Sequence, residues 1–255
     1  SSRLHITFSG VFLPLAFLVV AYLGSLFLLL VNAFWSTNSF TGDIVRTWTL
    51  DNFQTLFQQD VYRIVTGRTL TAALAVTVVD ALIALPIAFY MAKVASPRMQ
   101  KLLVIAVLTP LWASYLVKAY AWRTVFATDG IVDWLLAPVG GSSPGYGYWT
   151  AVITLGYLWL PYMILPIYAS LERLPSSLLD ASADLGAHTM RTLRSVVLPI
   201  IFPGIVAGSI FTFSLTMGDY IAVQIVGGKV TFLGNVVYAN VTYNLPLAAA
   251  LSIVP

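Results

Sequence analysis

The sequence predicts an all-α, polytopic membrane protein with about six transmembrane helices, the last of them incomplete. Two observations carry that prediction. Hydrophobic residues make up 59% of the 255 residues and charged residues 9%, against roughly 25% charged in soluble globular domains. Polar surface is therefore too scarce to coat a water-soluble body. The apolar residues are also gathered into runs of bilayer length, about 20 residues each. No strand-like alternation is sustained, so helices are the expected way to satisfy backbone groups in lipid.

Taken in order, the runs are Val11–Val31, Thr69–Met91, Leu102–Phe126, Trp149–Tyr168 and Pro199–Ile221. A sixth starts at Leu245 and reaches only Pro255, so it is expected to continue beyond that residue. The chain opens on Ser1 rather than a methionine, so residues are expected ahead of it. Val11–Val31 lacks a small-residue cleavage site and is long enough to span, which argues against a signal peptide. With no internal repeat or low-complexity tract, residues 1–255 read as a single transmembrane domain.

Basic residues near span ends set the expected orientation. The link "AKVASPRMQK" carries Lys93, Arg98 and Lys101, and the link after the fourth span carries Arg173, Arg191 and Arg194. Ala127 to Trp149 holds no lysine or arginine. Both basic links, and with them the N-terminus, are expected on the cytoplasmic side. The first outer segment, Phe34 to Arg68, contains the amphipathic "LDNFQTLFQQ" and is expected along the outer membrane face.

One cytoplasmic link departs from its apolar surroundings: "LDASADLGAHTMRTLRSVVLP", Leu179 to Pro199. Ser177 with Asp180 three residues on reads as an N-cap and capping box. Leu178, Ala181 and Leu185 share one helical face, and Gly186 is a helix stop. A second short helix would place Met190, Leu193 and Val197 on one side, before Pro199 opens the next span. The residues alone allow either a solvated connector or a docking knob.

The spacing in this link resembles the "EAA" loop of ABC-importer permeases. Asp180, Ala181 and Ser182 stand at its acidic and small positions, Gly186 falls six residues after the acid, and Leu198 and Pro199 fall eighteen and nineteen after it. "PLWASYLVKAYAWRTVF" (Pro110–Phe126) and "MGDYIAVQIVGGKVTFLGNVV" (Met217–Val237) resemble segments of spermidine/putrescine permeases. Aspartate replaces the usual glutamate of the loop, Ser182 replaces its second alanine, and Lys118 replaces a common arginine. The resemblance implies a type I ABC-importer permease whose loop 171–198 couples it to ATPase subunits. It assigns that coupling to Asp180, Ala181, Ser182, Asp184, Gly186, Ala187, Leu198 and Pro199. It also implies two cytoplasmic ATPase subunits that hold ATP and magnesium, a second permease subunit of paralogous sequence, and an extracytoplasmic substrate-binding protein. A prokaryotic inner membrane is the implied location.

Charge within the apolar runs is costly and marks function or pairing. Asp80, Lys118 and Arg123 are read as structural or gating charges. Asp80 is expected either to pair with Lys118 or Arg123 or to touch substrate, and Arg123 to anchor the interface. Asp219 has two readings: a cap or ion-pair partner at a broken helix, or a wall of the translocation path with Trp112, Tyr115 and Tyr220. Carboxylates and aromatic faces suit a flexible polycation. The remaining Trp and Tyr residues near span ends read as interfacial belts.

No phosphate-binding G-x-x-x-x-G-K-[ST] occurs, His5 and His188 stand apart from any metal cluster, and no catalytic triad is suggested. The chain is therefore expected to be non-catalytic and without a cofactor of its own. Three functions remain open: a polyamine importer permease; an ABC permease for another organic cation, amino-acid-like, ferric or anionic solute; and an ATP-independent carrier. The last would call for coupling carboxylates and, in many folds, a repeat.

Overall fold

The computed structural model describes residues 2–38 and 40–253, with side chains from Pro14 onward, so His5 lies outside the described side chains. Four helical stretches are long and apolar enough to cross a membrane: Pro14–Asn32, Asp60–Val94, Tyr148–Glu172 and Thr189–Gly218. A fifth is a helix pair, Pro97–Trp112 with Tyr115–Val125, bent by 95°. The chain divides into two compact units, Ser1–Ile64 with Val236–Pro255, and Val65–Asn235.

In the first unit, α1 (Ser2–Asn32) leads into a two-residue hairpin of β1 (Ser36–Thr37) and β2 (Ile44–Val45), then α2 (Asp51–Gln58). Asn52 is buried in α2 and donates from Nδ2 to the carbonyls of Ala33 (2.9 Å) and Trp35 (2.7 Å). One amide thereby satisfies two carbonyls freed where the chain leaves α1. The C-terminal helix, here α13 (Leu245–Ile253), packs on α1 and α2. Asn244 precedes it, accepting from Leu247 N–H at 3.1 Å and from the Thr37 hydroxyl at 2.9 Å.

α3 (Asp60–Phe89) runs on through a π-helical turn, Tyr90–Val94. Arg63 and Arg68 therefore lie on its first turns, not in the surface segment the sequence suggested. In the second unit, α4 (Pro97–Trp112) starts at Ser96, whose hydroxyl accepts from Met99 N–H at 3.4 Å. The third span is not the continuous helix expected over Leu102–Phe126. Ala113 and Ser114 are extended, with ψ of 143° and 133°, and α5 (Tyr115–Val125) leaves at a right angle. Then come α6 (Ile131–Leu136), α7 (Tyr148–Glu172), α8 (Ser176–Asp184) and α9 (Thr189–Thr192). A second π turn, Leu193–Val197, joins α9 to α10 (Leu198–Gly218). Pro199 thus sits within one unbroken stretch, and the carbonyl its ring would strike, that of Ser195, lies in the π turn. α11 (Ile221–Val226) and α12 (Leu233–Tyr243) complete the order.

α7 is the axis of this unit. Its first half is buried in one apolar cluster through Leu155 and Leu158, together with Val76, Ala119, Val223 and Phe232. Its second half anchors another through Met163, Ile167 and Leu171, with Met91, Val197 and Ile201. Helix association in lipid depends on close packing rather than on the hydrophobic effect, so small residues at the contact matter. The contact here is Gly204-x-x-x-Gly208 on α10. A methyl carbon added at Gly204 would meet the Ser170 hydroxyl and stand 2.6 Å from the Pro166 carbonyl, and one at Gly208 would stand 2.7 Å from Met163 Sδ.

Gly204→Val should therefore push α10 off α7 and cost about 1–3 kcal/mol or more, read as a lower thermal midpoint of the purified chain. Gly67→Ala, inside α3 where the added carbon meets nothing within 4 Å, should instead raise the midpoint slightly, by the ~0.5–1 kcal/mol that glycine costs a helix interior.

Candidate functional site

Two places gather the polar residues singled out above. The first is the loop of α8 and α9. Helix α8 begins at Ser176 after an extended Pro175 and has no side-chain cap, so Ser177 is not the N-cap that the sequence suggested. Proline's ring fixes its own φ, here −65°, and the helix starts directly behind it. The C-terminal stop falls at Gly186, whose φ of +72° is left-handed. Gly186 N–H donates to Ala183 O (2.8 Å) and Ala187 N–H to Ser182 O (3.1 Å), the paired closure of a Schellman motif. The Ser182 and Thr192 hydroxyls meet at 2.8 Å, pinning α8 to α9.

Leu179, Ala183 and Ala187 line a groove of about 530 Å³ opposite Leu85, Phe89 and Val94. Leu178 is exposed, and Leu185 and Met190 are 88% and 72% exposed. Asp180, Ala181, Asp184, Gly186 and Pro199 are exposed, while Ser182, Ala187 and Leu198 are half-buried. The result is a knob whose outer surface carries bare apolar side chains beside two carboxylates.

The second place is where two helices break. At the α4–α5 break, Lys118 donates from Nζ to the Pro110 carbonyl at 3.0 Å, satisfying a peptide group near the end of α4. At the α10–α11 break, buried Asp219 accepts from Ala222 N–H at 2.9 Å through Oδ1. Its other oxygen, Oδ2, accepts from the Tyr115 hydroxyl at the start of α5. Ala222 N–H also reaches Tyr115 Oη at 3.2 Å. Of the two structural readings of Asp219, the helix cap is the one formed.

Tyr115, Asp219 and Tyr220 line one pocket of about 360 Å³ with Trp159, Ser214, Leu215, Gly218 and Ile221. Trp112 does not line it: as the last residue of α4, before the bend, it is 91% exposed. Sequence reasoning missed Trp159 and Ser214. Trp159 stacks on Tyr115 with ring centroids 6.0 Å apart, and Tyr162 follows at 5.9 Å. Its signal was position: Trp159 lies mid-way along α7, not at a span end where an interfacial belt would sit.

Asp80 pairs with neither Lys118 nor Arg123. Its side chain is buried with Oδ2 unpartnered, and its Oδ1 faces Gly156, where an added methyl carbon would stand 3.1 Å away. Arg123 donates to the Ile225 carbonyl at 3.0 Å and lies over the Tyr146 ring at 5.1 Å. Among the described residues the one ion pair is Arg63–Asp60 at 3.5 Å, on the exposed start of α3. No group of three His, Cys, Asp or Glu residues that could hold a metal is found among them.

The chain is 46% identical over 262 residues to the inner membrane ABC transporter permease protein YdcU of Escherichia coli, covering 95% of this chain and 82% of that protein. It is 34% identical over 212 residues to the spermidine/putrescine transport system permease protein PotB of Haemophilus influenzae, covering 80% and 73%. Its fold matches a chain of the bacterial alginate ABC transporter crystallised with its alginate pentasaccharide-bound periplasmic protein, with a TM-score of 0.73 at 14% identity over 99% of this chain and 89% of that one. The model of the family "Binding-protein-dependent transport system inner membrane component" matches residues 84–255. From the polar loop to the broken spans, this is a member of that family, a non-catalytic permease subunit of an ABC importer in the inner membrane.

Proposed function

We propose that the chain moves polyamines such as putrescine and spermidine into the cytoplasm by alternating access. The observation that carries the cargo class is the pocket at the two helix breaks, where one carboxylate, Asp219, sits among the rings of Tyr115, Trp159 and Tyr220. An aliphatic ammonium finds there a charged acceptor and aromatic faces. The PotB relatives, named for spermidine and putrescine transport, support the same class. Tyr115, Asp219 and Tyr220 would line the path. Trp112 would stand on an exposed surface available to the second permease subunit. Asp80, Lys118 and Arg123 would hold or gate the helices around it.

The work comes from outside the chain. Two ATPase subunits holding ATP and magnesium would seat the Asp180–Pro199 knob in a groove on their cytoplasmic-domain surface. Leu185 and Met190 supply its apolar contact, and the N-terminus lies on the same side of the membrane. Closure of the ATPases would carry the knob with it and, through the continuous Thr189–Gly218 helix, tilt the pocket wall. A paralogous permease would complete the pore, and a binding protein would deliver cargo to the outer loops.

Reconstituted with those partners, the assembly should hydrolyse ATP faster when the binding protein carries putrescine or spermidine. Stimulation by an unrelated solute alone would replace the cargo assignment. Gly186→Arg places a side chain at a left-handed φ and on the knob surface, so it should abolish stimulated hydrolysis and transport while the permease pair still assembles. Unchanged coupling would refute the knob. Leu185→Glu should lower ATPase copurification about tenfold without altering the melting of the isolated chain, since Leu185 is 88% exposed there.

A further inference from the structure

The carboxylate in the pocket is already occupied. Asp219 Oδ1 faces Ala222 N–H as the cap of α11, and Oδ2, on the side of the Tyr115 and Trp159 rings, is held by the Tyr115 hydroxyl. The phenolic oxygen is fixed in the ring plane, so it leaves Oδ2 only if the Tyr115 side chain shifts as a whole, giving up the Ala222 N–H contact as well. The ring stacks on Trp159, an apolar face along which it can slide without losing a directional bond. Trp159 and Tyr162 then continue as aromatic faces along α7, and Tyr162 approaches Phe211 of α10 at 6.4 Å.

We propose that the Tyr115 hydroxyl is the exchangeable occupant of an ammonium subsite, displaced from Asp219 Oδ2 by a primary ammonium of the cargo. This rests on the cationic-cargo reading and adds to it a rule of selection. The incoming group must replace an O–H donor, so it needs N–H donors of its own. A primary ammonium has three, and a quaternary ammonium has none. The aromatic faces attract both kinds of cation, so the hydroxyl is what separates them. Tyr115 is accordingly a specificity-determining residue, and it joins the two helix breaks only while the subsite is empty of amine.

The test is equilibrium dialysis of labelled putrescine against the permease–ATPase assembly in nanodiscs, without binding protein. Its fully N-methylated, bis-quaternary analogue serves as comparison. Wild type should bind putrescine and exclude the analogue. Tyr115→Phe removes the competitor and keeps the ring, so putrescine should bind about tenfold more tightly, the scale of one charge-assisted hydrogen bond. The same variant should now bind the analogue as well. Asp219→Asn keeps an oxygen for Ala222 N–H, and so the cap, but should lose putrescine binding. Equal or weaker putrescine binding by an intact Tyr115→Phe assembly would overturn the proposal, as would wild type that binds the analogue as well as putrescine. If wild type binds no putrescine while putrescine-loaded binding protein still stimulates ATP hydrolysis, the subsite falls and the cargo assignment stands. If neither occurs, both fall.

Discussion

A helix broken within a bilayer leaves peptide groups that lipid cannot hydrogen-bond, at several kcal/mol for each one unsatisfied. The structure of this chain follows from how it meets that constraint. Its few charged side chains are spent on backbone groups where helices end. Lys93 donates to Leu174 O at 2.6 Å at the end of α7, Lys118 to Pro110 O near the end of α4, and Arg123 to Ile225 O in α11. Asp219 accepts from Ala222 N–H, and Asp133 from Asp129 N–H at 2.7 Å at the start of α6. Charges that might be expected to neutralise one another act instead as caps.

That arrangement ties function to architecture. The α4–α5 bend interrupts one span and the α10–α11 break ends another, and the Tyr115 hydroxyl bonds across them to Asp219 and to Ala222 N–H. Helices pack closely on either side of the breaks, especially α10 on α7 through Gly204 and Gly208. The breaks are where that packing is interrupted. The pocket at the breaks and the α8–α9 knob lie at opposite ends of the same Thr189–Gly218 stretch.

Much of this was legible in the residues. Apolar run length located the spans, and the spacing from Asp180 to Pro199 located the knob, because Gly186 is needed for a left-handed helix stop. Tyr115, Asp219 and Tyr220 were recognisable as a carboxylate among aromatics, and the pocket brings them together. The α4–α5 break was not legible. Hydropathy runs unbroken from Leu102 to Phe126, and the extended residues, Ala113 and Ser114, are compatible with a helix. Without the break, Trp112 and Tyr115 looked like neighbours on one path, whereas the right-angle turn leaves Trp112 exposed and Tyr115 half-buried in the pocket. The partners of Lys118 and Arg123 were missed for a related reason. Carbonyl acceptors belong to the backbone and leave no trace in residue identity, so the search for partners fell on Asp80. Which apolar side of α8 meets the rest of the chain was also not legible: Leu179 and Ala183 line the groove against α3, while Leu178 and Leu185 are exposed.

The central claim is that Tyr115 and Asp219 act as one joint between the two breaks. A double-mutant cycle tests it most directly, using the thermal unfolding of wild type, Tyr115→Phe, Asp219→Ala and the double variant in nanodiscs. The account predicts that the double variant loses less than the sum of the single losses, with a coupling of about 1 kcal/mol or more. Additive losses would mean that the two residues stabilise their helices independently, and that no joint exists for a cargo to open.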